Sequence, residues 1–264
     1  TNKRNVTKRA LAEGTAAAWT SQYGSITFNQ YGREFPTGGM NEKGLVVELM
    51  WLDEAQYPPA DGRGALPTLQ WIQYQLDNAT TVDDVLKSDR AVRIASAGSA
   101  KIHFLVADAN GGVATIEFLD GKMVAHRGNE LPYPVLTNDT YQGSVEFARA
   151  TGARGGKAPA GSLERFARAA GYQKSATTAA DAVRNAFATL DDVAQGAGPV
   201  NPGGREVELA VELVGVRGVS DHRGAVGGGA LRHEDARTRK GDRRGHERSQ
   251  EDQGTPRLSH RISC

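Results

Sequence analysis

Three neighbouring segments constrain this chain more than any others. KIHFLVAD (101–108), VATIEFLD (113–120) and MVAHR (123–127) are rich in β-branched and aromatic residues, and only ANGG and GK separate them. Strand-length apolar runs joined by short Gly-containing turns predict an antiparallel meander of three strands. The upstream sequence adds two more strands. YGSITFN, Tyr23 to Asn29, alternates, and GLVVELMWL, Gly44 to Leu52, is a near-continuous apolar run suited to a strand covered on both faces.

Helices are grouped apart from these strands. After a loop rich in Pro and Gly, Leu69, Ile72 and Leu76 recur at helical spacing in LQWIQYQLDN, and Thr81 is placed to cap a short helix, VDDVLKS. Ser162 opens a further helix in which Leu163, Phe166 and Ala170 share a face, with Gly171 as its expected stop. Val183, Phe187 and Leu190 mark an amphipathic helix starting near Thr178. Strands in a run with helices in separate groups predict an α+β fold.

Composition divides the chain. Every Phe, Tyr and Trp lies at or before Phe187, so the last 77 of the 264 residues hold no aromatic. From Arg217 the text is Gly/Arg/His/Asp/Glu-rich and cannot bury enough apolar surface to offset its ordering entropy. The expected division is a folded domain over 1–202 and a disordered, low-complexity tail over 203–264, of the kind a shifted reading frame in a GC-rich bacterial gene would produce. The eleven Lys/Arg beyond residue 216 are interleaved with seven Asp/Glu and no aromatic, a solvated polyampholyte rather than a nucleic-acid arm.

The same accounting narrows the chemistry. A formal net charge of +1 gives no electrostatic reason to expect nucleic acid or a membrane surface as partner, and no apolar run approaches the roughly 18 residues that span a bilayer. The single cysteine is Cys264, which excludes an intrachain disulfide and a cysteine metal site. No metal or cofactor is expected. There is no GxSxG, HExxH, P-loop or CxxC. Only His103 and His126 lie outside the tail, both in predicted strands and both read as structural histidines rather than catalytic bases.

Four ordered blocks carry a resemblance. WTSQYGSITFNQYG (19–32) and GGMNEKGLVVELMWL (38–52) are followed by PVLTND (134–139) and SLERFARA (162–169). In this order and spacing they resemble the choloylglycine hydrolase family in its penicillin V acylase-like branch, over about residues 1 to 200. The resemblance implies a four-layer αββα N-terminal-nucleophile hydrolase sandwich, incomplete at both ends here. It implies hydrolysis of a linear amide in a small-molecule substrate such as a penicillin, a conjugated bile salt or an N-acyl homoserine lactone. A homo-oligomer is left open, as is location in periplasm or cytoplasm.

In such enzymes the nucleophile is a cysteine at the mature N-terminus whose own α-amine, titrating near neutrality, takes the thiol proton. By resemblance Asn138 helps form the oxyanion hole, Arg165 lies near the nucleophile, and Trp51 lines the substrate site. Local context alone supports plainer roles: a polar turn for Asn138, a solvated helix face for Arg165 off the Leu163/Phe166 stripe, and a core aromatic at a strand end for Trp51. The family's leading strand-turn-strand, which carries the cysteine, has no counterpart in these 264 residues. Thr1 is no substitute, because TNKRNVTKRAL matches the loop after that hairpin. The expectation is therefore an amide hydrolase inactive as written, with a non-catalytic remnant as the alternative.

Overall fold

The computed structural model describes residues 2–32, 34–97, 99–153, 161–172 and 178–193. The first strands in the chain are β1 (Thr7–Arg9), β2 (Ala18–Thr20), β3 (Ser25–Asn29), β4 (Pro36–Asn41), β5 (Val46–Trp51) and β6 (Gly64–Leu66). Helices α1 (Thr68–Asn78) and α2 (Val82–Ser88) precede β7 (Val92–Ile94), β8 (Ile102–Ala107), β9 (Val113–Leu119) and β10 (Lys122–Arg127). Helices α3 (Tyr141–Ala150), α4 (Ser162–Tyr172) and α5 (Ala179–Val193) follow.

The predicted meander forms one side of a six-stranded sheet of order β10-β9-β8-β5-β4-β3, antiparallel throughout. Because side chains alternate across a strand, this sheet has two different faces. Val47, Ile102, Phe104, Val106, Ala114, Ile116 and Phe118 point one way and form the main core with Trp71, Ile72 and Leu76 of α1. The Trp71 ring lies 4.4 Å from that of Phe104 and 6.4 Å, edge-on, from that of Phe118. Full burial of each such large side chain contributes roughly 1.5–3 kcal/mol. Thr81 caps α2 as its sequence predicts, in a reciprocal capping box with Asp84.

The opposite face carries His103, Leu105, Thr115, Glu117 and Met50, and the segment after β10 folds over it. Leu136 packs there against Met50 and Leu105. Helices α3 and α4 close over Tyr141, Val145 and Phe166 in a second core. The β1–β2 pair is tied to α1 through fully buried Asp77, which accepts from Trp19 Nε1 (2.7 Å) and Gln73 Nε2 (2.9 Å) and pairs with Lys8 Nζ (2.9 Å).

Two expectations are corrected. Val183 and Phe187 of α5 are 60% and 67% exposed, while Ala182, Thr189 and Val193 are buried. Small side chains occupy the seam because they let neighbouring helices approach closely. Gly171 does not stop α4, which runs on through Tyr172. The plainer alternative for Arg165, a solvated helix face, is set aside because the side chain is buried, for reasons given below. Six elements went unread: the three-residue strands β1, β2, β6 and β7, too short to show a pattern, then β4, PTGGMN, with Pro and Gly where strand formers are expected, and α3, which contains Gly143. The β4 glycines are there for proximity, since a Cβ at Gly38 would collide with the Glu48 carboxylate and one at Gly39 with Ile26 O. The expected domain boundary at 202 and the tail lie outside the described residues.

Candidate active site

The LTN turn, Leu136 to Asn138, is where the sheet, α3 and α4 meet. Leu136 seats it on the sheet face, and Thr140 caps the helix that leaves it, accepting from Gly143 N at 3.4 Å. From the other side α4 grips it twice. The Ser162 hydroxyl accepts from Asn138 N (2.7 Å) and donates to Thr137 Oγ1 (3.0 Å), which donates in turn to Ser162 O (3.2 Å). One helical turn later, Arg165 Nη2 donates to Asn138 Oδ1 at 2.6 Å. Residues three apart share a helix face, so the Ser-x-x-Arg spacing puts both groups on one turn of chain. Phe166 next to them fixes α4 through edge-on contacts with Tyr133 and Tyr141 at 6.1 and 5.9 Å.

The direction of the Arg165–Asn138 bond matters chemically. A guanidinium only donates, so the oxygen end of the Asn138 amide must face it, and the NH₂ end points away. The cation, only 6% exposed, also polarises that amide and strengthens its N–H groups as donors. This is an arrangement able to stabilise developing negative charge on a carbonyl oxygen.

Behind the turn lies a buried polar pair. His103 Nε2 is 2.6 Å from the Thr137 carbonyl oxygen, and its Nδ1 is 3.1 Å from Glu117 Oε1. The same Oε1 accepts from Tyr141 N, the first residue of α3, at 2.8 Å. His126 stacks on Tyr141 at 4.8 Å and brings Nε2 within 3.6 Å of Glu117 Oε2. Burial opposes charge on Glu117, but the His103 and His126 rings and the Tyr141 N–H outweigh it and hold the carboxyl down at about 2.

The three residues singled out in the sequence are thus treated differently. Asn138 and Arg165 are brought into direct contact across 27 positions of sequence. Trp51 ends β5, 37% exposed, its indole N–H on Asp53 Oδ1 at 2.7 Å. It stands on the face of β5 opposite Met50, whose cross-strand partner is His103. Ser162, His103 and Glu117 were not foreseen as parts of the site. The β8–β9 register Phe104↔Ile116 extends to set His103 opposite Glu117, so counting outward from the Gly turn could have paired them. Among the described residues no group of three His, Cys, Asp or Glu side chains is arranged to hold a metal ion.

Residues 13–147 match the sequence profile of the linear amide C–N hydrolases of the choloylglycine hydrolase type. The chain belongs to the choloylglycine hydrolase family. The match takes in the strands of the main sheet and the LTN turn, and ends before the helix that supplies Ser162 and Arg165. A penicillin V acylase from Pectobacterium atrosepticum is 36% identical over 135 residues, 46% of this chain and 35% of the relative. The alignment therefore spans about a third of that relative's length. The solved penicillin V acylase from Agrobacterium tumefaciens superposes with a TM-score of 0.63 at 28% identity, over 76% of this chain and 65% of the other. A variant of conjugated bile acid hydrolase from Clostridium perfringens gives a TM-score of 0.57 at 18% identity over 80% of this chain, a likeness of fold. The fold is that of the N-terminal-nucleophile hydrolases.

Proposed function

We propose that this protein is a linear-amide C–N hydrolase of the penicillin V acylase type, in which Asn138 stabilises the oxyanion and Arg165 orients and polarises it. The observation that carries this reading is the 2.6 Å bond from Arg165 Nη2 to Asn138 Oδ1, buried against the sheet. It commits the oxygen end of the amide to the cation, so that the group can act on a carbonyl oxygen only through its NH₂ end. When a nucleophile adds to the substrate carbonyl, its oxygen gains charge, and a preorganised neutral donor lowers that barrier with no proton transferred.

The nucleophile is not among the described residues, and the only cysteine of the sequence is Cys264. The family pattern supplies it as an N-terminal cysteine on a leading strand-turn-strand. Trp51, half-exposed at a strand end, is proposed to offer an aromatic wall to the acyl group. A domain over 1–202 would carry these parts, with 203–264 as an appended tail.

The test joins a family-type leading hairpin with a processed N-terminal Cys, and a family-type ending after about residue 200, to these residues. The completed enzyme should hydrolyse an amide from a panel of penicillin V, a conjugated bile salt and an N-acyl homoserine lactone, and the 264-residue chain assayed by itself should hydrolyse none. Asn138→Ala in the active enzyme should lower kcat by roughly a hundredfold or more with KM little changed, the behaviour of a donor engaged mainly in the transition state. An unchanged kcat in a folded, active variant would return Asn138 to the role of a polar turn residue.

A further inference from the structure

The polar pair behind the turn takes no part in that chemistry, yet its geometry gives it a task. His103 is fully buried, and each of its ring nitrogens faces an acceptor: Glu117 Oε1 on one side and the Thr137 carbonyl on the other. A carbonyl and an ionised carboxylate can only accept, so only a ring with N–H on both nitrogens satisfies both contacts. We propose that His103 and Glu117 form a buried imidazolium–carboxylate pair that clamps the Thr137–Tyr141 segment at both ends and so positions the Asn138 amide.

The clamp is visible in the hydrogen bonds of the pair. His103 holds the entrance of the segment through the carbonyl of Thr137, and Glu117 holds its exit through the backbone N–H of Tyr141, four residues on. Both charges stand on β8 and β9, central strands of the sheet, so the turn takes its position from the most constrained part of the molecule. Ser162 and Arg165 approach the same turn from α4, and without the clamp the sheet would hold the turn only through the apolar contact of Leu136. Neither charged residue touches the reacting atoms, so both are positioning residues. The pair itself rests on geometry. Its consequence for catalysis rests on the oxyanion reading of Asn138.

A buried ion pair is a poor way to gain stability, since apolar side chains of similar volume often serve as well. It is a good way to fix a backbone carbonyl and a backbone N–H in space, which apolar side chains cannot do. Displacement of a reacting group by about 1 Å can cost on the order of a hundredfold in rate, which is the scale on which such a clamp acts.

The test uses the 264-residue chain with ¹⁵N-labelled histidine. Long-range ¹H–¹⁵N correlation at neutral pH should show both His103 nitrogens protonated, and Glu117→Gln should convert the ring to a neutral tautomer because no carboxylate remains to hold its charge. In the same variant the amides of 138–141 should exchange with solvent about ten- to a hundredfold faster, the factor expected for loss of a charge-assisted hydrogen bond, while α1 and β8–β9 keep their protection. His103→Leu should give the same exchange pattern; where it fails to fold, the wild-type ring spectrum and the near-isosteric Glu117→Gln still decide. A neutral His103 in the folded wild-type chain, or unchanged exchange at 138–141 in Glu117→Gln, would overturn the proposal. Neither measurement involves turnover, so failure of the oxyanion reading, seen in kcat of Asn138→Ala, is distinguishable from failure of the clamp.

Discussion

Glu117 and Glu48 stand on the same face of the same sheet, and burial pushes both carboxyls toward the neutral form, yet they end at opposite extremes. Glu117 is held at about 2 and Glu48 is pushed up to about 7. Their surroundings explain the difference. Glu117 has two histidine rings around it, from the neighbouring strands β8 and β10, and the N–H that starts α3, from the segment folded over them. Glu48, on β5, has among the described residues only the Gly39 backbone N–H to oppose desolvation. Beyond it, on β3 and β4, the same face presents Ile26, Phe28 and Met40 to solvent. A buried carboxylate keeps its charge only where tertiary structure brings donors to it.

The largest effect should come from removing the well-partnered group. Glu117→Leu leaves His103 and Tyr141 N without their acceptor, and urea unfolding at neutral pH should show a loss of roughly 3–5 kcal/mol. Glu48→Leu under the same conditions should be near neutral or stabilising. Equal losses from the two substitutions would break the comparison.

The pH dependence should sharpen it, because the two groups have opposite signs. The folded pKa of Glu117 lies below its ordinary value of 4.5, so its contribution is complete above 4.5 and is lost as pH falls toward about 2. The folded pKa of Glu48 lies above 4.5, so its contribution is complete below 4.5 and is lost as pH rises through about 7. Glu48→Gln should therefore remove a decline in stability of up to roughly 3 kcal/mol on going from mildly acidic to mildly alkaline conditions, without altering the acid limb. Chemical denaturation of both proteins across that range is the measurement. A decline that survived the substitution would place its origin elsewhere.

The smallest effect concerns the third residue of interest. In the completed hydrolase, Trp51→Ala should raise KM several-fold with kcat nearly unchanged, as expected for an apolar wall used equally in ground and transition states. A fall in kcat to match would bring Trp51 into the same functional unit as Asn138, against its place on the other sheet face.

Much of the scaffold was legible from pattern. The meander, the strand over 44–52, α1 with its Leu69/Ile72/Leu76 stripe, and the Thr81 cap all depend on local rules of alternation, helical spacing and capping, and all are present. What local rules could not reach was β4, whose glycines are required by the approach of Glu48 and Ile26 from other strands. The face of α5 was also beyond them, because its neighbour sets which side is buried.

The candidate site divides the same way. The resemblance carried by the ordered motifs singled out Asn138 and Arg165, and the family match over 13–147 supports that resemblance. That Arg165 is buried, that its partner is the oxygen of Asn138, and that Ser162, His103 and Glu117 hold the same turn follow only from packing. Residues 103, 117, 138 and 165 are far apart along the chain, and whether a polar side chain among them is solvated or engaged depends on what the fold sets within about 3 Å of it. Hydrogen bonds act over that distance alone, so sequence could name the residues, and tertiary structure decided what each one does.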